Sequence, residues 1–394
     1  MSTKQLSILD AIADAPSVPR EHRYRPPFFS DIPLVVVTVL LMGFGLLMLY
    51  STSGILAQEK FGDALYYLRR QTVAAVLGLV GIVVLSRFKL DWLRRVSPLL
   101  LLVCLGMLLF PLIPGVGVKA GGASRWVNLL GFRFQPGELV KLLFIIFMAG
   151  YFGRREAKLH QFSQGVVKPL FLVGLVGVLY LLQPDFGSTS LVLSVTFAMA
   201  LCAGVRLQHI ALSGVVCAIA LVALVLTSPY RVRRLLSFLE PNADASGQGY
   251  QLIQSLIAVG TGQVSGVGLG ASQQKLFFLP AAHTDFIFAV IAEELGFLGG
   301  LGLLILFGIF LWRGLRIALR HSEDTFAFSL GIGMTLLIVA PALLNLGVVL
   351  GLLPTKGLAL PFISYGGTST LVSMIAVGIL LALARESAEH GYRR

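Results

Sequence analysis

The chain has 394 residues, 56% of them hydrophobic and only 13% charged, with a mean hydropathy of +0.85. Such values exclude a soluble multidomain protein. The formal net charge of +12 lies in short clusters between apolar runs, which is the pattern of charged membrane loops and argues against a nucleic-acid partner.

Apolar runs of about 18 residues or more recur along the whole chain, each long enough to cross a bilayer. They do not alternate in polarity, so a membrane barrel is excluded. The expected fold is an all-α integral membrane protein, a polytopic bundle of ten transmembrane helices. Its spans fall near 33–53, 68–86, 97–113, 136–152, 168–183, 187–204, 209–228, 285–312, 326–350 and 368–385. Residues 1–32 and 386–394 are tails of a membrane domain covering 33–385, and residues 229–284 form a large extracytoplasmic loop between spans seven and eight. No small-residue cleavage site follows the first apolar run, which is expected to stay as an anchor. With ten spans both termini lie on one side. Placing them inside puts 19 Lys and Arg residues on inner segments against 11 on outer ones, so the termini are expected to be cytoplasmic. Cys104, Cys202 and Cys217 all lie in apolar runs, which suggests packing and neither a disulfide framework nor a metal site.

The polar sequence of interest then gathers on the outer side. In residues 121–141, GGASRWVNLLGFRFQPGELVK, Pro136 suits a first helical turn and Glu138 the positive end of the helix. Glu138 and Lys141 share a helix face and are expected to form a structural ion pair. Arg125-Trp126 offers a cation and a flat ring, suited either to a phosphate or sugar or to anchoring at the interface. The turn QPDFGS places Asp185 at a helix start, where capping is the favoured reading.

In the long outer loop Arg231, Arg233 and Arg234 stand outside, against the charge rule. They read either as an amphipathic helix snorkelling to headgroups or as guanidinium forks for an anionic lipid headgroup. Leu252, Leu256 and Val259 follow helical spacing in a piece expected to lie at the interface or dip into the membrane. The glycine-rich run 260–270 breaks any long helix; a dinucleotide-binding reading fails because no strand precedes it.

The stretch KLFFLPAAHTDFIFAVIAEELGF, residues 275–297, then runs from loop into span. Thr284 or Asp285 is expected to cap the helix that follows. Asp285, Glu293 and Glu294 are three acids entering an apolar segment, costly there without partners or a task. Lys275 and His283 in the same stretch are candidate substrate-binding groups. Residues 351–370, GLLPTKGLALPFISYGGTST, carry Pro354, Pro361 and a glycine pair, with Lys356 and Ser364 as polar groups. A re-entrant outer loop beside a cavity is expected there.

GASRW, FQPGELVK, QPDFGS, GYQLIQSLIAVGTG, FLPAAHTDFIFAVIAEELG and LLPTKGLALPFISYGG occur in the order in which the SEDS family (shape, elongation, division and sporulation) carries them, and the chain resembles that family from about residue 33 to 385. The form LLPTKG…LPFISYGG is more similar to the family's cell-division members than to its elongation members. One departure is Ala340-Pro341-Ala342, where relatives commonly carry a Gln before an Ala; Asn345 in the same span is kept.

The resemblance implies a peptidoglycan glycosyltransferase of the bacterial inner membrane. It would polymerise lipid II at the outer face, with a class B penicillin-binding protein transpeptidase and other division proteins as partners. Asp285 matches the family's essential aspartate. The residues suit that chemistry, which needs a base for the acceptor hydroxyl and cations for the leaving pyrophosphate. Asp285 is the candidate general base, and the candidate substrate-binding set is Arg125, Trp126, Arg231, Arg233, Arg234, Lys275, His283, Lys356 and Ser364. Glu138, Lys141, Asp185, Glu293, Glu294 and Asn345 support the site. The six histidines show no ligand spacing, so no metal site is expected and no cofactor is certain; a loosely held divalent cation, Mg²⁺ or Mn²⁺, beside the pyrophosphate stays open. Rival readings are a lipid II flippase and a scaffold that only activates its transpeptidase. The crowding of polar residues on the outer side favours surface chemistry.

Overall fold

A computed structural model describes residues 30–120, 123–129, 132–227, 229–241, 248–276, 278–355 and 357–393. Lys356 and nearly all of the tail 1–32 lie outside them. The helices are α1 Ile32–Phe61, α2 Tyr66–Ser86, α3 Leu90–Val96, α4 Leu100–Leu109, α5 Pro136–Arg154, α6 Lys168–Leu182, α7 Phe186–Cys202, α8 Leu207–Leu226, α9 Pro229–Leu239, α10 Gln248–Gly262, α11 Ile287–Leu319, α12 Thr325–Val349 and α13 Gly367–Arg393. Among the described residues nine helical stretches, with Leu90–Leu112 counted as one, are long and apolar enough to cross a membrane; the 17-residue α7 makes the tenth.

The bundle is layered by burial. α5 and α12 are the most enclosed, with Phe144, Phe152, Phe326 and Leu330 fully buried between them and their neighbours. α2 lies along α13, where Gly78 and Gly378 let the two backbones approach. α8 stands at the periphery with almost its whole surface turned outward. That exposed apolar surface is what lipid covers in a spanning helix.

Two features depart from the expectation. The loop before α5 is a three-stranded antiparallel sheet, β1 Gly117–Ala120, β2 Ala123–Leu129 and β3 Phe132–Phe134, in the order β1-β2-β3. Strands of three to seven residues are too short for an alternation that stands out from loop sequence. The other feature is a break in α11 at Gly296, whose φ of 66° and ψ of −163° are not helical. In an unbroken helix Phe297 and Leu298 would donate to the carbonyls of Glu293 and Glu294. Here they donate to Gln263 O (2.8 Å) and Val264 O (3.1 Å), while Glu293 O and Glu294 O accept from Val267 N and Gly268 N, both at 3.0 Å. The loop after α10 is thus threaded into the ladder of a spanning helix, and these four backbone groups at the break are all paired. An added Cβ on Gly296 would sit 2.4 Å from Gly266 N, so only glycine admits this crossing.

Candidate active site

Asp285 sits two residues before α11, half-buried at one end of the bundle. Neither it nor Thr284 caps the helix: the residue at the cap is Phe286, which makes no side-chain cap. The expected cap fails because turns take its place. Thr284 N and Phe286 N both donate to Ala281 O, and the Thr284 hydroxyl donates back to the same carbonyl. No described residue donates a hydrogen bond to the Asp285 carboxylate.

The backbone around Asp285 is tied on every side. Asn345 of α12 donates through Nδ2 to Asp285 O and to Leu358 O, both at 2.7 Å. The Ser364 hydroxyl donates to Thr284 O (2.6 Å) and accepts from Leu360 N (2.8 Å). Tyr365 N donates to His283 O (3.0 Å). The loop 350–366 is thereby laced to the start of α11 through one side-chain amide, one hydroxyl and one backbone N–H. Gly357 of that loop lies so near that a Cβ added there would be 2.9 Å from Asp285 Oδ2. Departure from the family pattern at Ala340-Pro341-Ala342 leaves the Asn345 contacts in place.

Gln71, which is not among the candidates drawn from the sequence, completes the lacing. It is buried in α2, donates to Thr370 Oγ1 (2.7 Å) and Ser364 O (3.3 Å), and accepts from Gly366 N (3.2 Å). A glutamine inside a spanning run was the available signal. The rings of Tyr67, His283 and Tyr365 also cluster here, with Tyr67 4.8 Å from each of the other two. Burial and the charge of Lys60 lower the His283 pKa to about 4, so its ring is neutral at neutral pH.

Two arginine-bearing elements, β2 and α9, approach from the other side. Arg125, on β2, donates to the carbonyls of Gln183 (3.0 Å) and Pro184 in the α6–α7 turn. That turn is held by Asp185, which accepts from Ser188 N (3.1 Å) and from the Ser188 hydroxyl (2.8 Å), and its Gly187 packs on Leu358. Arg234 on α9 donates to Thr355 O (3.2 Å). Arg231 donates to Leu224 O (2.8 Å) and lies over Phe186, while Arg233 is exposed. Trp126 is half-buried on β2. Burial pushes the Asp285 carboxyl up to about 6, against the lowering pull of Arg234 and Arg125, so those two charges act on it through space.

The remaining candidates are held elsewhere. Lys275 differs from its expected role: its ammonium is buried against Glu294 Oε1 (2.8 Å), Gly270 O (2.6 Å) and Ser51 Oγ (3.2 Å). Glu294 also accepts from Ser51 Oγ at 2.7 Å. Glu293 accepts from Gln273 N (3.0 Å), Gln274 N (3.4 Å) and the Ser272 hydroxyl. Both glutamates therefore fasten the loop 263–275 at the break in α11. Glu138 and Lys141 pair at 2.7 Å in the first turns of α5. Among the described residues no group of three or more His, Cys, Asp or Glu side chains is placed to hold a metal ion.

Residues 32–389 match the FtsW/RodA/SpoVE family, described as cell cycle proteins. The chain is 44% identical over 354 residues, 90% of its own length and 93% of the relative's, to a probable peptidoglycan glycosyltransferase FtsW from Trichlorobacter lovleyi. It is 40% identical over 357 residues, 91% and 97% of the two lengths, to stage V sporulation protein E from Bacillus subtilis. Its fold is similar to a chain from a peptidoglycan synthase complex that coordinates polymerization and crosslinking, with a TM-score of 0.75, 31% identity and coverage of 91% and 98%. The rod shape determining protein RodA of Thermus thermophilus superposes with a TM-score of 0.63 at 28% identity, covering 90% and 97%.

Proposed function

The chain belongs to the FtsW/RodA/SpoVE family, and from that membership we propose the reaction it carries out. It is a peptidoglycan glycosyltransferase, a multi-pass membrane protein of cell-wall synthesis. Its substrate is lipid II, polymerised at the periplasmic face of the inner membrane during septal synthesis. Asp285 is the general base. It takes the proton of the acceptor hydroxyl as that oxygen attacks the anomeric carbon of the donor sugar. The bond from that carbon to the pyrophosphate oxygen breaks, and the pyrophosphate leaves with the electron pair. Pyrophosphate needs no acid to leave, so a second carboxylate is not required. Arg125 and Arg234 face the growing negative charge, the interaction that contributes most in such transfers.

The observation that carries this reading is the state of the Asp285 carboxylate. It faces two guanidinium groups, accepts no hydrogen bond from any described residue, and titrates near 6, close to working pH, as a base should. Its backbone is held by Asn345, which keeps the carboxylate aimed without engaging it. A transpeptidase is the proposed partner, in keeping with the complex that the fold resembles.

Purified full-length chain is given lipid II in detergent micelles, where no transport step exists. Glycan strands from this chain alone are the expected product. A flippase gives no polymer; a scaffold gives none until an active transpeptidase-polymerase is added. The orientation has its own test. A cysteine at Ser246, in a chain whose Cys104, Cys202 and Cys217 are replaced by serine, should react with an impermeant thiol reagent in intact spheroplasts. Labelling only after lysis places the Asp285 end in the cytoplasm.

A further inference from the structure

α5 begins beside the site, where Gln135 N donates to Thr368 Oγ1, and its 19 residues carry it about 28 Å to the opposite end of the bundle. There α5 and α6 part around a cavity of about 470 Å³. Its charged lining has one sign: Arg154, Arg155 and Lys168. Arg154 Nη1 donates to the Ser97 hydroxyl at 2.7 Å, and the Arg155 guanidinium lies 4.4 Å from the centre of the Tyr151 ring. Tyr151 in turn donates to Gln164 O at 2.8 Å, which fixes the floor of the cavity to the turn before α6. Both arginines are thus oriented by neutral groups.

Among the described residues no carboxylate lies within ion-pairing distance of any of the three cations. Two other arginines at this end have counter-ions built in: Arg94 pairs with Asp324, and Arg313 with Asp31. The cavity therefore has room for an anion and the cations to hold one, and no described residue supplies it. Its mouth is apolar. Phe171 and Leu172 line it, and Phe171 is 69% exposed on the outward side of a spanning helix, where acyl chains lie. A ligand that satisfies both parts carries a phosphate at one end and hydrocarbon at the other. Guanidinium forks match phosphate oxygens, and basic pockets between spanning helices take anionic headgroups. The volume is that of a small-ligand site.

We propose that this cavity binds the phosphodiester headgroup of an anionic phospholipid in the leaflet opposite Asp285. The site is separate from the one proposed for catalysis and does not depend on it.

The test uses the full chain purified in detergent, with bound lipid counted by native mass spectrometry. The probes are phosphatidylglycerol and phosphatidylcholine with the same acyl chains. Phosphatidylglycerol should be retained roughly 10-fold or more over phosphatidylcholine. The triple variant Arg154→Gln, Arg155→Gln, Lys168→Gln should lose that preference. A control triple of equal charge change at the same end, Lys89→Gln, Arg206→Gln, Arg320→Gln, should keep it. Leu172→Trp fills the mouth without touching a charge and should also lower retention, which keeps the test intact if the triple variant does not fold. Equal retention of the two lipids overturns the proposal. So does an equal loss in the control triple, which would reduce the effect to general surface attraction. Displacement of the lipid by millimolar inorganic phosphate would make this a free-phosphate pocket and overturn it as well.

Discussion

Asp285 and the pair Glu293–Glu294 lie within ten residues of one another, yet they occupy opposite kinds of surroundings. The two glutamates are fully enclosed and saturated: one by backbone amides and a hydroxyl, the other by Lys275 and Ser51. Asp285 is half-buried, is met by no donor among the described residues, and faces Arg234 and Arg125 at a distance. The difference separates a carboxylate that holds a fold together from one that the fold keeps available. Buried acids engaged in this way are committed to their partners and closed off from a substrate, whereas an acid held only through its backbone stays open to one.

The largest expected effect falls on the saturated side. Glu294→Gln leaves the Lys275 ammonium buried without a counter-charge, and breaking such a pair costs about 3–5 kcal/mol. The variant should unfold at markedly lower temperature in a detergent thermal-shift measurement, and the double variant Glu294→Gln, Lys275→Met should recover most of the loss. That double variant should still polymerise lipid II. If it folds and makes no polymer, the deeper acid takes part in the chemistry and the contrast collapses.

On the available side the expected effect is on rate. Asp285→Asn keeps the shape but loses the basicity, so polymerisation should fall by about 10²-fold or more, with insertion and transpeptidase binding kept. Polymerisation by the unsubstituted protein should also decline as pH drops through about 6, where its carboxyl becomes protonated. Substantial polymer from Asp285→Asn would remove the base from this position.

A smaller effect is expected at Glu138–Lys141, which is partly exposed and so less costly to break. Each single neutralisation should lower the unfolding temperature, and the charge swap Glu138→Lys, Lys141→Glu should recover more than either. Normal folding of both single variants with lost activity would move the pair into the chemistry.

The smallest effect sharpens the comparison through stability. The folded Asp285 carboxyl titrates near 6 against an ordinary 3.8, so ionising it opposes folding. That opposition is complete above about pH 6 and gone by about pH 4. Asp285→Asn should therefore unfold a few degrees above the unsubstituted protein at pH 7.5, and the gap should close as pH falls toward about 4. No gap at pH 7.5 would show that the carboxylate has a partner that stabilises its charge.

Composition and run length alone determined the bundle of ten spans, because a bilayer demands about 20 apolar residues per crossing and the runs are unmistakable. The same reading singled out Asp285, since an acid at the mouth of an apolar helix is conspicuous, and it paired Glu138 with Lys141 from helical spacing alone. It could not separate Asp285 from Glu293 and Glu294 by environment. Their partners Ser51 and Ser272 lie 243 and 21 residues away, and such contacts leave no periodic trace. Nor could it find Gln71, whose partners Ser364 and Thr370 come from the far end of the chain. It assigned Lys275 to substrate because charge and side of the membrane are visible in a sequence, while the direction of a side chain is not. The crossing at Gly296 belongs wholly to the tertiary structure: two hydrogen bonds of α11 are exchanged for bonds to a loop some 30 residues earlier, and only the folded chain decides which backbone groups pair.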